Sequence, residues 1–164
     1  MINQLLRIKT VLRILSNTNQ PILNYVWKAA LLSIIPTLII STAVTLALPD
    51  KSPSLTGGSA VYIIYSMLIL GPFLETLFLW FVLSLIKRFA AKPTSIAIAS
   101  AVFWGILHSL VAPAWGLIVV WPFFVFSTCF LEWEKKSKGK AIAATSLVHT
   151  CQNILPAIAI FVSS

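Results

Sequence analysis

Acid is scarce in this chain. Asp50, Glu75, Glu132 and Glu134 are the whole set among 164 residues. Charged residues of both signs make up 10% of the sequence, against 59% hydrophobic residues and a mean hydropathy of +0.95. A soluble globular domain carries about a quarter charged residues, so that class is excluded and an integral membrane protein is indicated. Cysteine is as rare: Cys129 and Cys151 both lie inside apolar segments, with neither the CxxC spacing of a metal site nor the density of a disulfide scaffold, and read as packing residues. At 164 residues the chain is one domain of a few spanning helices, too short to add a soluble catalytic domain, so any chemistry belongs to the membrane part. The net charge of +8 does not point to nucleic acid, because the cations form short clusters between apolar runs, where they mark one membrane face.

What is present reads as an all-α polytopic bundle of about five transmembrane helices. The opening MINQLLRIKTVLRILSN has Arg7, Lys9 and Arg13 interrupting any signal-peptide core. Leu5, Ile8, Leu12 and Leu15 share one helical face opposite Arg7, Lys9, Thr10 and Arg13, so residues 1–28 are predicted to include an interfacial amphipathic helix, with a helix docked on the rest of the chain as the alternative. The bundle proper spans 29–164. Its predicted spans are Ala29 to Leu48, about Ala60 to Ile86, Thr94 to about Ala112, Trp115 to Leu131 and Ala141 to about Val162; Gly71 and Pro72 tilt or break the second. Sorting the cations by side puts 11 on one face and Lys51 alone on the other, which makes the amino terminus cytoplasmic by the positive-inside rule. Trp27, Trp115, Trp121 and Trp133 lie near span ends and read as interfacial anchors.

Four polar residues are out of place in these spans: Glu75, His108, His149 and Asn153. A carboxylate at the centre of a membrane helix costs roughly 2.5 to 3.5 kcal/mol on insertion scales, so Glu75 is expected to face the bundle interior and to have partners there. With no Lys or Arg in the spans, the partners on offer are the two histidines and Asn153. His149 and Asn153, four apart, stack on one helix face. Counted inward from the basic boundaries at about 1.5 Å per residue, Glu75, His149 and Asn153 reach comparable depth.

In order and spacing these residues resemble the CPBP intramembrane proteases, also called the Abi or CAAX-protease family, over about positions 65–160. That family carries EExxxR, FxxxH and HxxxN on three helices; ETLFLW from Glu75, WGILH ending at His108 and HTCQN from His149 to Asn153 look like these motifs, and Pro72 is similar to the family's proline. Thr76 stands where the family has its second glutamate, Trp80 where it has arginine, and Trp104 at the phenylalanine position with Phe103 one place ahead.

The resemblance implies an intramembrane endopeptidase of a prokaryotic plasma membrane that acts on a peptide or lipidated-protein substrate among membrane lipids. In that scheme Glu75 is the general base, His108 holds the attacking water, and His149 with Asn153 donates hydrogen bonds to the oxyanion. The catalytic set is then Glu75, His108, His149 and Asn153, with no cofactor. A polar cavity between spans two, three and five, open to the cytoplasm, is expected to admit water. Glu75, His108 and His149 also form a zinc-type ligand set, but this would leave no second carboxylate in the spans as base. Thr76 and Trp80 keep open a catalytically inactive relative acting as a membrane scaffold or bacteriocin-immunity protein. A small proton-coupled carrier is the third reading, against which stands the lack of an internal repeat.

Overall fold

The computed structural model describes residues 10–49 and 59–163 and is helical throughout, with no strand among the described residues. Five helices follow in chain order: α1 (Ile22–Ala47), α2 (Ala60–Ile86), α3 (Pro93–Ser109), α4 (Pro113–Glu134) and α5 (Lys138–Ser163). Within α2, a π turn over Ser66–Leu70 joins an α-helical start to the longer run Gly71–Ile86. α1, α2, α4 and α5 are long and apolar enough to cross a bilayer, while α3 is apolar but only 17 residues long. The chain is a helical membrane protein.

Side-chain distribution sets the arrangement. In its most apolar stretch α4 is 67% buried, against 22 to 28% for the other three long helices, and it touches all four of its neighbours. A helix apolar all round belongs at the centre, and the others present large exposed side chains such as Leu23, Ile39, Val61, Phe81 and Phe161 outward, as lipid-facing helices do. α3 packs closely against α4 because Gly105 and Gly116 meet: a Cβ at Gly116 would stand 2.3 Å from the Gly105 carbonyl oxygen. Near the other end of this pair, Ser127 Oγ donates to Ser100 Oγ at 2.9 Å.

Prolines write a second layer of contacts. Pro36 has no N–H for the carbonyl four residues back, Leu32, and Trp121 Nε1 of α4 donates to that oxygen at 2.9 Å instead. The described cations lie towards one end, where Lys87 bonds Glu134, Lys135 bonds Glu132 at 2.7 Å, and Lys136 Nζ holds the Thr18 carbonyl at 2.6 Å.

Several expectations need amending. α1 begins at Ile22 rather than Ala29, because Lys28 extends back to Gln20 Oε1 at 2.8 Å and does not end the helix. Trp121 and Trp133 are internal links rather than interfacial anchors: Trp121 bridges to α1, and Trp133 is buried against Tyr25 at a centroid distance of 5.3 Å. Of the amino-terminal helix, residues 1–9 lie outside the described residues. Its described part, helical over 10–16, docks on the bundle through buried Leu15, whose carbonyl accepts from Tyr25 Oη at 2.9 Å. Cys129 is buried in the core and Cys151 packs against it.

Candidate functional site

Glu75 stands one turn into the α-helical run that follows the π turn, and His149 stands near the middle of α5. The two helices bring His149 Nε2 to 3.9 Å from Glu75 Oε2, an ion-pair separation longer than a direct hydrogen bond. The imidazole is shut in, with 8% of its side chain exposed, whereas the carboxylate keeps 36%. His149 is held flat by Phe126, stacked at 4.6 Å, and edge-on by Phe123 at 5.9 Å.

The exposed side of Glu75 faces a cleft of about 370 Å³ lined by Leu74, Phe78, Trp104, Leu107, His108 and Trp115, with Val111 at its mouth. This is a largely apolar space between α2, α3 and the start of α4, and it runs towards the α3–α4 turn. This cleft draws on α2, α3 and the start of α4 and not on α5, so it differs from the polar cavity expected between spans two, three and five.

His108 lines the cleft and sits in an aromatic frame, with Trp115 edge-on at 4.7 Å, Phe123 at 5.3 Å and Trp104 at 5.8 Å. Its Nδ1 lies 2.9 Å from the Trp104 carbonyl. A carbonyl only accepts, so this contact assigns the proton to Nδ1, and in the neutral ring Nε2 is left as an acceptor. Trp104 is stacked on Phe123 at 4.3 Å; its indole Nε1 is buried and has no hydrogen-bond partner among the described residues.

Asn153 is placed otherwise than the resemblance implies. Its Nδ2 donates to the Met67 carbonyl in the π turn at 2.9 Å, and its neighbour on the same face, Thr150, donates through Oγ1 to the Leu68 carbonyl at 2.8 Å. Thr150 was not singled out by the sequence. The signal was Pro72, which deprives the preceding turn of a donor and so calls for one from a neighbouring helix. Thr76 is buried beside Glu75, and Trp80, at the position of the family's arginine, carries the Lys138 ammonium over its ring at 5.1 Å.

Glu75, His149 and His108 are therefore brought to one region, with Asn153 at its edge tied to the backbone of α2. No group of three His, Cys, Asp or Glu side chains suited to hold a metal ion is found among the described residues, so the alternative set Glu75, His108 and His149 is not gathered as ligands. What the fold and site define is a helical membrane bundle in which a buried imidazole meets a partly exposed carboxylate beside an open cleft. Comparison with protein-family models, with characterised proteins and with solved structures gives no match.

Proposed function

We propose that this chain is an intramembrane peptidase of the CPBP type, seated in a prokaryotic plasma membrane with its amino terminus and lysine-bearing turns in the cytoplasm. The observation that carries the reading is the approach of Glu75 and His149 to 3.9 Å across two helices, beside a cleft that also contains His108. Glu75, among the described residues the one acid away from the helix ends, accepts a proton from water as the water oxygen attacks the scissile carbonyl. His108 Nε2, left as an acceptor, orients that water. His149, whose Nε2 faces Glu75, donates to the oxyanion; on collapse the C–N bond breaks and Glu75 passes its proton to the leaving amine. The scheme needs no cofactor. Its substrate is a peptide or lipidated protein that reaches the cleft from the bilayer.

A second reading, a non-catalytic relative serving as a membrane scaffold or immunity partner, draws on the hydrogen bond between Asn153 and Met67: the amide implied for the oxyanion is committed to a backbone carbonyl. One assay separates the two. The purified protein in lipid vesicles is given a library of quenched-fluorescent transmembrane peptides, and Glu75→Gln is compared with wild type. The peptidase reading expects cleavage that falls by about 10² or more on removing the general base. Cleavage that Glu75→Gln leaves unchanged, or none across the library, would reject it.

A further inference from the structure

The hydrogen-bond ladder of α2 is interrupted at a place the sequence dictates. Gly71 N–H reaches back five residues to the Ser66 carbonyl, closing the π turn. Pro72 then has no N–H. The carbonyls it would serve, Leu68 four back or Met67 five back, are the two capped from outside by Thr150 Oγ1 at 2.8 Å and Asn153 Nδ2 at 2.9 Å. Both donors come from one face of α5, and both lie within a turn of His149; Glu75 follows Pro72 by three residues. The space is tight, since a Cβ at Gly71 would stand 2.8 Å from the Ser66 carbonyl oxygen and 3.7 Å from Glu75 Oε1.

Resting on the reading of Glu75 and His149 as the reaction centre, we propose that Thr150 and Asn153 are its positioning residues. They bracket two adjacent carbonyls, one left without a donor by Pro72 and the other by the change of register at the end of the π turn, and so fix the register of α2 against α5 and with it the placement of the carboxylate beside the imidazole. Asn153 thereby acts on Glu75 through the Met67 carbonyl. The bracket also gives the π turn a function, as the one extra residue per turn swings two adjacent carbonyls towards α5 where a regular helix would point them along its own axis.

The test is a cycle between Thr150 and Pro72 in lipid vesicles. Thr150→Val removes the hydroxyl at nearly constant shape, Thr150→Ser keeps it, and Pro72→Ala restores the missing backbone N–H. The first readout needs no catalysis: the rate at which dicyclohexylcarbodiimide modifies the Glu75 carboxyl, followed by mass spectrometry. The second is kcat against KM for any peptide cleaved by wild type. Thr150→Val is expected to change the modification rate several-fold and to lower kcat about tenfold at constant KM, as loss of alignment does. Thr150→Ser should match wild type, and with Pro72→Ala present Thr150→Val should have less than about a twofold effect. A modification rate that Thr150→Val leaves alone, or a Thr150→Val effect of equal size in the Pro72→Ala background, would overturn the proposal. Should Thr150→Val fail to fold, the double variant must fold, because the Leu68 carbonyl regains a backbone donor; failure of both overturns it too. If wild type cleaves nothing, the peptidase reading falls while the modification rates still judge the bracket.

Discussion

Gly116→Ala is expected to be among the most damaging single changes that add one carbon to this protein. The new Cβ would stand 1.8 Å from Ser109 Oγ and 2.3 Å from the Gly105 carbonyl oxygen, where ordinary contact begins at 3.4 Å. The serine can rotate away, as its bond to the Pro113 carbonyl is long at 3.4 Å. The carbonyl belongs to the backbone of α3 and cannot, so α3 and α4 must part by about an ångström over their closest stretch, a strain of about 1–3 kcal/mol on the scale of overpacked cores. Reversible unfolding of the purified protein in mixed micelles, titrated with sodium dodecyl sulfate and followed by tryptophan fluorescence, measures this directly. Adding Ser109→Ala to Gly116→Ala should recover only a minor part of the loss. A Gly116→Ala protein that unfolds at the wild-type detergent fraction, or one fully rescued by Ser109→Ala, would refute the claim that backbone contact between the two glycines sets the α3–α4 distance. His108 lies within a turn of Gly105, so the same shift should disturb its 4.7 Å contact with Trp115.

Two further outcomes follow from hydrogen bonding. Trp104→Phe removes an indole N–H that has no partner among the described residues while keeping a ring to stack on Phe123; since an unsatisfied buried donor costs about 1–3 kcal/mol, stability in the same titration should hold or rise by up to about 1 kcal/mol, and a clear fall would show that the N–H is satisfied. Trp121→Phe takes the donor from the Leu32 carbonyl and should cost about 1 kcal/mol, reduced to about half in a Pro36→Ala background where the helix supplies its own donor; equal costs in both backgrounds would disprove the link.

Much of the fold could be read directly from the sequence because membrane insertion enforces it. The apolar runs and their basic borders gave all five helices, with errors of a few residues at ends such as Ile22 and Glu134, where amphipathic side chains let a helix run on past the hydrocarbon. The pairing of Glu75 with His149 was legible for the same reason: a lone acid at that depth needs company, and few groups could give it. Which helix lies at the centre was not, since every span is apolar; nor was the close approach of α3 to α4, which rests on Gly105 and Gly116, residues that nothing in a hydropathy profile pairs. Nor was the cleft, to which Val111 and Trp115 contribute from either side of Pro113. Asn153 shows where motif reasoning and physics diverge. The resemblance implied a donor to the reaction, whereas the structure has that amide donating to the Met67 carbonyl.

The central place of α4 has a consequence for biosynthesis. Translation delivers α1, α2 and α3 before α4, and α5 after it, so α4 must wait with one flank against acyl chains until α5 arrives to cover it. During that interval Phe126 and Cys129, which in the fold meet His149 and Thr145 of α5, face lipid, and α2 is without the hydroxyl and amide donors that later cap its carbonyls. A chain released before residue 138 would stay in that open form, a natural target for membrane quality control.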